Sequence, residues 1–142
     1  MVNLHSILQE HKPLNNERAL TDSRKAPTLP SASYSEIPDL FFDTILTSYK
    51  LNRVEIIVLM YLYRKVWCKP NLYRIYGISQ LMSLTEMAKG LNILIDDVYG
   101  SLLKLEELGF ISTVRSGQYF VRKFFLKEYD EYFAQTYDDF EI

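Results

Sequence analysis

Few side chains in this sequence have the type and spacing that catalysis requires. His5 and His11 do not have the spacing of a zinc-binding pair, and no glycine-rich phosphate loop or activated nucleophile is recognisable. Asp96 and Asp97 could do acid–base or metal chemistry, but acidic residues are common in a first helical turn, where they complement the helix dipole. Cys68 is the single cysteine, so it has no partner for a disulfide. We therefore expect no enzyme activity, no cofactor and no metal.

Phosphate binding finds more support, because the charge is unevenly distributed. Residues 50–127 carry 12 basic and 6 acidic side chains, whereas residues 128–142 carry 6 acidic and no basic ones, within a net charge of −2. Attraction to phosphates depends on such a local patch rather than on the total. The alternative is that these charges merely solvate a helix end and a hairpin. The candidate DNA-binding residues are Arg64, Lys65, Lys69, Arg74, Tyr99, Lys104, Arg115, Arg122 and Lys123.

The elements that would position these residues are clearest in residues 82–125. Ser83 is a good N-cap, and Glu86 stands at the spacing of a capping box. The helix that starts there continues to Asn92, which tolerates the left-handed conformation of a sharp turn. A second helix then ends at Gly109. Its inner face is expected to carry Val98, Leu102 and Leu105.

A β-hairpin is predicted after this second helix. Residues 110–115 and residues 119–125 are β-rich and flank Ser116 and Gly117, which are typical turn residues. The fold class is therefore mainly α with a small β-hairpin.

The order helix, turn, helix, glycine stop and hairpin resembles the winged helix-turn-helix superfamily. It is similar in particular to the N-terminal DNA-binding domain of phage replication initiators of the O-protein type and of related bacterial regulators. Residues 41–67 look like the first helices of that family, with Leu51-Asn52-Arg53 opening a long apolar helix that ends at Tyr63-Arg64-Lys65-Val66-Trp67. The resemblance covers about residues 38–125.

This resemblance implies a way of holding DNA. The second helix of the motif enters the major groove, and the hairpin acts as a wing on the flanking backbone. Phosphate contacts near the wing would then come from Arg115, Arg122 and Lys123. A second basic group after the core helix would comprise Arg64, Lys65, Lys69 and Arg74.

Three segments are expected along the chain. Residues 1–35 are polar and proline-dotted, which predicts a mobile arm with a short helix around residues 4–8. Residues 36–125 form the winged-helix domain, with a short helix from Pro38 and a core helix capped by Asn52 and Glu55. Residues 126–142 form an acidic, aromatic C-terminal segment, in which an amphipathic helix ends near Tyr137 and either packs on its own domain or pairs two copies of the chain.

The recognition helix departs from the family pattern. Small polar and basic residues are usual at its start, but this sequence has Leu94-Ile95-Asp96-Asp97. Helical geometry leaves an apolar and acidic outer face that suits a protein partner better than phosphates. If the arm or the C-terminal segment covers this face, its residues are additional core. The candidate partner-binding residues are Leu94, Ile95, Asp96, Tyr99 and Leu103.

Two functions follow from these patterns. The first is a non-enzymatic DNA-binding protein that acts in transcription or replication control. The alternative is a winged helix repurposed as a protein–protein interaction adaptor, with another protein or a second copy of the chain as its partner. No apolar run is long enough to span a bilayer and no signal peptide is recognisable, so a soluble, cytoplasmic protein is expected.

Overall fold

The structure, a computed structural model, describes residues 29–141. Residues 29–34 are exposed and belong to one unit, and the residues from Ser35 onward form another. The predicted helix around residues 4–8 lies outside the described residues. The second unit consists of α1 (a π-helical turn, Phe41–Ile45, then Leu46–Tyr49), α2 (Arg53–Tyr63, continued by a π-helical turn, Arg64–Cys68), a 3₁₀ turn (Arg74–Tyr76), α3 (Leu84–Leu91), α4 (Ile95–Leu108), β1 (Ile111–Arg115), β2 (Gln118–Val121) and α5 (Lys127–Tyr132).

The first two helices begin where the sequence predicts. The backbone N–H of Phe41 donates to the carbonyl of Pro38 at 3.0 Å, which starts α1. Asn52 and Glu55 form the reciprocal capping box of α2, because each side chain accepts a hydrogen bond from the other residue's backbone N–H, at 2.8 and 2.9 Å. This box satisfies two backbone donors that the first turn of a helix otherwise leaves free.

The core lies around α2. Val58, Leu59 and Leu62 are fully buried there, and the ring of Tyr63 stacks on that of Phe125 with the centroids 5.0 Å apart. Burial of such side chains removes apolar surface from water and is the main stabilising contribution to the unit.

Helices α3 and α4 are joined by the predicted sharp turn. The Ser83 side chain accepts from the backbone N–H of Glu86 at 3.0 Å, although the reciprocal bond of a capping box is not among those that the described residues make. Asn92 has a φ of 55°, and Gly109 has a φ of 92° at the end of α4. The predicted inner face of α4 is confirmed, because Val98, Leu102 and Leu105 are buried.

The hairpin forms around Gly117 as predicted, with Ile111 opposite Val121 and Thr113 opposite Tyr119. A third stretch of backbone adds to it. The carbonyl of Gly77 accepts from the Val121 N–H at 2.8 Å, and the Ser79 N–H donates to the carbonyl of Tyr119 at 2.9 Å. The segment before α3 therefore lies antiparallel to β2, on the edge that β1 does not occupy.

The second strand is shorter than predicted, and the prediction that it reaches residue 125 is wrong. β2 ends at Val121, and the Arg122 N–H makes one further bond across the hairpin, to the carbonyl of Phe110 at 3.2 Å. The two amides after it bond to the C-terminal segment. The Lys123 N–H donates to the Tyr137 hydroxyl at 2.9 Å, and the Phe124 N–H donates to Asp130 Oδ1 at 3.0 Å.

The C-terminal helix is also shorter than predicted. α5 ends at Tyr132 rather than near Tyr137, and Ala134 adopts a positive φ of 57° that reverses the chain. Tyr137 then packs with its ring centroid 4.8 Å from that of Phe120 and 6.1 Å from that of Trp67. The aromatic residues of this segment therefore belong to the short helix α5 and to the irregular stretch around Tyr137, and both pack on this unit.

Candidate nucleic-acid and protein interfaces

Six of the nine predicted DNA-binding residues fall into two separate places, of which the first surrounds Trp67. The Arg74 guanidinium carbon lies 6.0 Å from the Trp67 ring centroid, and Lys123 Nζ lies 5.6 Å from it. Arg64 is close by, because its Nε donates to Ser35 Oγ at 3.3 Å and Ser35 lines the same open cavity as Trp67. We call Arg64, Arg74, Lys123 and Trp67 the Trp67 cluster.

The cavity beside the Trp67 cluster mixes charges of both signs. Its volume is about 660 Å³, and Tyr63 and Phe124 contribute aromatic walls. Glu36 and Asp39 also line it, so two carboxylates share the cavity with the cations. The chemistry offered is therefore that of cations on aromatic faces, with nearby carboxylates that oppose dense phosphate binding.

Cys68 adds no reactive group to this place. Burial raises the pKa of its thiol, and a hydrogen bond with Ser35 and the nearby Arg74 and Arg64 charges offset only part of that rise. The thiol donates to the carbonyl of Glu36 at 3.3 Å. A thiol with a raised pKa is mostly protonated near neutral pH and is a poor nucleophile.

Arg122 serves the interior rather than the hairpin surface. Its Nη1 lies 3.1 Å from Asp130 Oδ2 in the one ion pair formed among residues 29–141, and Asp130 is 2% exposed. The Tyr137 hydroxyl also donates to Asp130 Oδ2, at 2.6 Å. Burial, together with this hydrogen bond, raises the pKa of Tyr137 well above its usual value. Arg122 thus neutralises a buried carboxylate that ties the C-terminal segment to the end of β2.

The second place is formed by α4 and the hairpin. Tyr99 and Lys104 are exposed on α4, and Arg115 is exposed at the end of β1, where its Nε donates to Gln118 Oε1 at 2.8 Å. Arg115 adjoins the hairpin turn, whereas Lys123 follows the opposite end of β2. The two places are therefore separated by the length of the hairpin, about 13 Å for four strand residues.

The remaining two candidates lie elsewhere. Lys65 is exposed, with its Nζ 5.5 Å from the ring centroid of Tyr61. Lys69 is half-buried just after α2. The predicted grouping of Arg115, Arg122 and Lys123 around the wing is thus not reproduced, because the strand ends before the last two.

The outer face of α4, defined by Leu94, Ile95, Asp96, Tyr99 and Leu103, is open to solvent. Leu94 is 71% exposed, Ile95 46%, Tyr99 55% and Leu103 50%. Asp96 is exposed as well. The described residues, the C-terminal segment among them, do not cover this face, and cover by residues 1–28 of the arm lies outside the described residues.

Two depressions border this outer face. One, of about 240 Å³, lies between α4 and the hairpin, where Tyr99 and Leu103 face Gly117. The other, of about 550 Å³, lies at the start of α4, where Arg53 and Lys89 join Leu94 and Ile95. Sequence reasoning missed Arg53 and Lys89, because only the docking of α2 and α3 brings them to the start of α4.

Comparison with known proteins gives no relative: no protein-family model, no curated protein and no solved structure matches this chain. Within residues 29–141, no group of three or more His, Cys, Asp or Glu side chains is placed to hold a metal ion. None of the described helices is long and apolar enough to cross a membrane.

Proposed function

We propose that this protein is a winged helix-turn-helix protein that binds double-stranded DNA, without catalysis, in transcription or replication control. The observation that carries the proposal is the order of α3, a sharp turn at Asn92, and α4, followed by a hairpin. The second strand of this hairpin also pairs with residues 77–79. A helix presented in this way beside a hairpin has the shape that enters a major groove. The exposure of Tyr99 and Lys104 on α4 supports the same orientation.

The charges favour a backbone-dominated mode of DNA binding. Asp96 and Asp97 begin α4, where base contacts would be made, and carboxylates repel a duplex. Lys104 and Arg115 are exposed cations on α4 and at the end of β1, while Arg74 and Lys123 of the Trp67 cluster stand at the base of the hairpin. Contacts to phosphates position a protein without reading sequence, so we expect weak sequence preference.

Duplex binding at two salt concentrations tests this proposal. Two double variants, Lys104→Ala with Arg115→Ala and Arg74→Ala with Lys123→Ala, remove the same charge from the two places. The first should flatten the slope of log affinity against log salt by about 1.8, because each lost phosphate contact contributes about 0.9. The second should leave the slope near that of the unchanged protein. Absence of duplex binding at both salt concentrations would rule the proposal out.

A second candidate function is a protein-interaction adaptor, and the exposed outer face of α4 favours it. Soluble proteins rarely leave large contiguous apolar patches uncovered without a use for them. Ile95, Tyr99 and Leu103 recur every four residues and so form a continuous stripe along one side of the helix. In this function, α4 contacts another polypeptide instead of a major groove.

Substitution of the stripe separates the two functions. Ile95→Lys with Leu103→Glu leaves the net charge unchanged, as does the matched control Leu72→Glu with Ile75→Lys at two other exposed apolar residues. If α4 enters the groove, the stripe variant loses duplex affinity and the control keeps it. If α4 is an adaptor face, the stripe variant loses self-association or partner binding in light scattering and duplex affinity does not depend on it.

A further inference from the structure

An open pocket of about 230 Å³ lies between the beginning of α1 and α5. Its walls are the rings of Tyr129, Tyr132 and Phe133, the side chain of Leu40 and the carboxylate of Glu128, and we call it the α5 pocket. Aromatic rings carry negative charge on their faces and attract cations there. Three such rings and one carboxylate around a single pocket are therefore the composition of a site for an organic cation.

Two rings of the α5 pocket present faces that a ligand can reach. The centroids of Tyr132 and Phe133 are 5.0 Å apart and the ring planes meet at 87°, so the two faces bound a corner. Tyr132 is 80% exposed and Phe133 is 48% exposed. The ring of Phe124 packs on Phe133 with the centroids 4.6 Å apart, which holds that wall in place. A cation in the corner would lie within about 6 Å of both ring centroids, the range of a favourable cation–π contact.

No cation of the described residues occupies the rings of the α5 pocket. Lys and Arg side chains lie over other rings, Phe124 among them, but over none of the three in the pocket. Glu128 is exposed and takes no part in the ion pair formed within this part of the chain. Lys127 and Arg122 share a neighbouring depression with Glu128, but the Arg122 charge is matched by Asp130. The rings and the Glu128 carboxylate are thus left for a ligand.

The two segments that form the pocket are acidic. Residues 36–49, which include α1, carry three acidic and no basic side chains, and residues 128–141 carry six acidic and no basic ones. Burial and then the charge of Glu128 raise the pKa of the Tyr49 hydroxyl on α1, so this carboxylate acts across the gap between the two helices. A field of this sign concentrates cations and repels anions such as phosphate.

The lining favours an alkylated ammonium group over an unmodified lysine or arginine side chain. Ammonium and guanidinium groups bring several N–H donors, whereas Glu128 is the one carboxylate on the wall. Donors that leave water without finding an acceptor cost free energy. A quaternary ammonium has no N–H donor, and its positively charged methyl groups can pack directly on aromatic faces.

We propose that the α5 pocket binds a quaternary ammonium group, such as that of choline or of a trimethylated lysine. This site lies on other elements than α4 and the hairpin, so it adds a ligand to either of the functions proposed above. Tyr132 and Phe133 contact the methyl groups by their ring faces, Tyr129 and Leu40 close the apolar wall, and Glu128 balances the charge.

An NMR chemical-shift titration of the full chain with choline tests the site. We expect a dissociation constant of about 1 mM, and the shifts should appear at the residues of the α5 pocket. The matched ligand is 3,3-dimethyl-1-butanol, in which carbon replaces the nitrogen, so that the shape is kept and the charge is lost. It should bind about ten-fold more weakly. Equal affinity for the two ligands, or shifts confined to other residues, overturns the inference.

Substitutions locate the ring and the charge that act. Tyr132→Leu removes one ring at an exposed position and should weaken choline about five-fold, whereas Tyr132→Phe keeps the ring and should stay within about 1.5-fold. Glu128→Gln should weaken choline about three-fold and leave the neutral alcohol unchanged. Glu131→Gln, the same charge change on exposed α5 outside the pocket, is the control and should have no comparable effect. Thermal unfolding checks that each variant folds, and unchanged choline affinity in folded Tyr132→Leu contradicts the proposal.

A peptide that carries trimethyllysine identifies the source of the group. If this peptide binds more tightly than choline and its unmodified counterpart binds about ten-fold more weakly, the natural ligand is a modified polypeptide. If choline binds and the peptide does not, the ligand is a small molecule. Failure of both choline and the trimethyllysine peptide to bind overturns the inference. The duplex titration measures DNA binding separately, so failure of this site and failure of the proposed function are distinguishable.

Discussion

The role of Arg122 is open to a direct test, because the structure assigns it to a buried ion pair and not to a phosphate contact. Arg122→Ala removes the 3.1 Å contact to Asp130 Oδ2 and leaves that carboxylate with the Tyr137 hydroxyl and the Phe124 N–H as partners. Removal of one partner from a fully buried pair costs about 3–5 kcal/mol. Since the Arg122 side chain is 24% exposed, water screens part of the loss, and we expect about 2–3 kcal/mol.

Urea and thermal unfolding measure this loss, which corresponds to a fall in Tm of about 8–12 °C for a unit of this size. Lys123→Ala is the matched control, because Lys123 makes cation–π contacts but no ion pair among the described residues, and it should cost about 1 kcal/mol or less. Asp130→Asn combined with Arg122→Ala should cost less than the two changes added, since no unpaired charge then remains. A loss below about 0.5 kcal/mol for Arg122→Ala, or full additivity, would refute the reasoning.

Three further outcomes are expected. Leu102→Ala should cost about 2–5 kcal/mol in urea unfolding because the side chain is buried on the inner face of α4, and a loss below about 1 kcal/mol would place it elsewhere. Gly77→Ala should also destabilise the unit: its φ is 69° and a Cβ would stand 2.8 Å from the Tyr137 ring, so an unchanged Tm would contradict this packing. Burial raises the pKa of both Tyr63 and Tyr137 above the usual value of 10.0, so these hydroxyls stay protonated in the folded state while the unfolded chain ionises. The stability that these two hydroxyls contribute is therefore complete below about pH 10. Above that pH, the free energy of unfolding falls by up to about 1.4 kcal/mol per pH unit for each tyrosine. Tyr137→Phe should reduce this slope in alkaline unfolding.

Local signals predicted the helices and the turn well. Asn52 with Glu55, Ser83 and Asn92 each act on backbone groups within about four residues, so their effect can be inferred from the sequence itself. The inner face of α4 followed from helical periodicity, because one side of a helix must meet the core. The exposure of Ile95, Tyr99 and Leu103 is the other consequence of the same periodicity.

The placement of the cations could not be inferred in the same way. Arg115 and Lys123 are eight residues apart and were predicted to serve one wing, yet they lie at opposite ends of the hairpin. The ladder ends with Ile111 opposite Val121 and is followed by one bond from the Arg122 N–H to the carbonyl of Phe110, so Lys123 lies past the paired residues. Lys123 instead joins Arg74, which is remote in the sequence, on the faces of Trp67.

Interactions along a few residues suffice for the mainly helical character, the capped starts of α2 and α3, the turn at Asn92 and the apolar, acidic outer face of α4. Packing between distant segments, by contrast, is what lets Arg122 neutralise Asp130, seats Tyr137 on Phe120 and brings Arg53 and Lys89 to the start of α4. These contacts join residues that no local pattern links, and their free energy is gained only when the packed core brings the segments together.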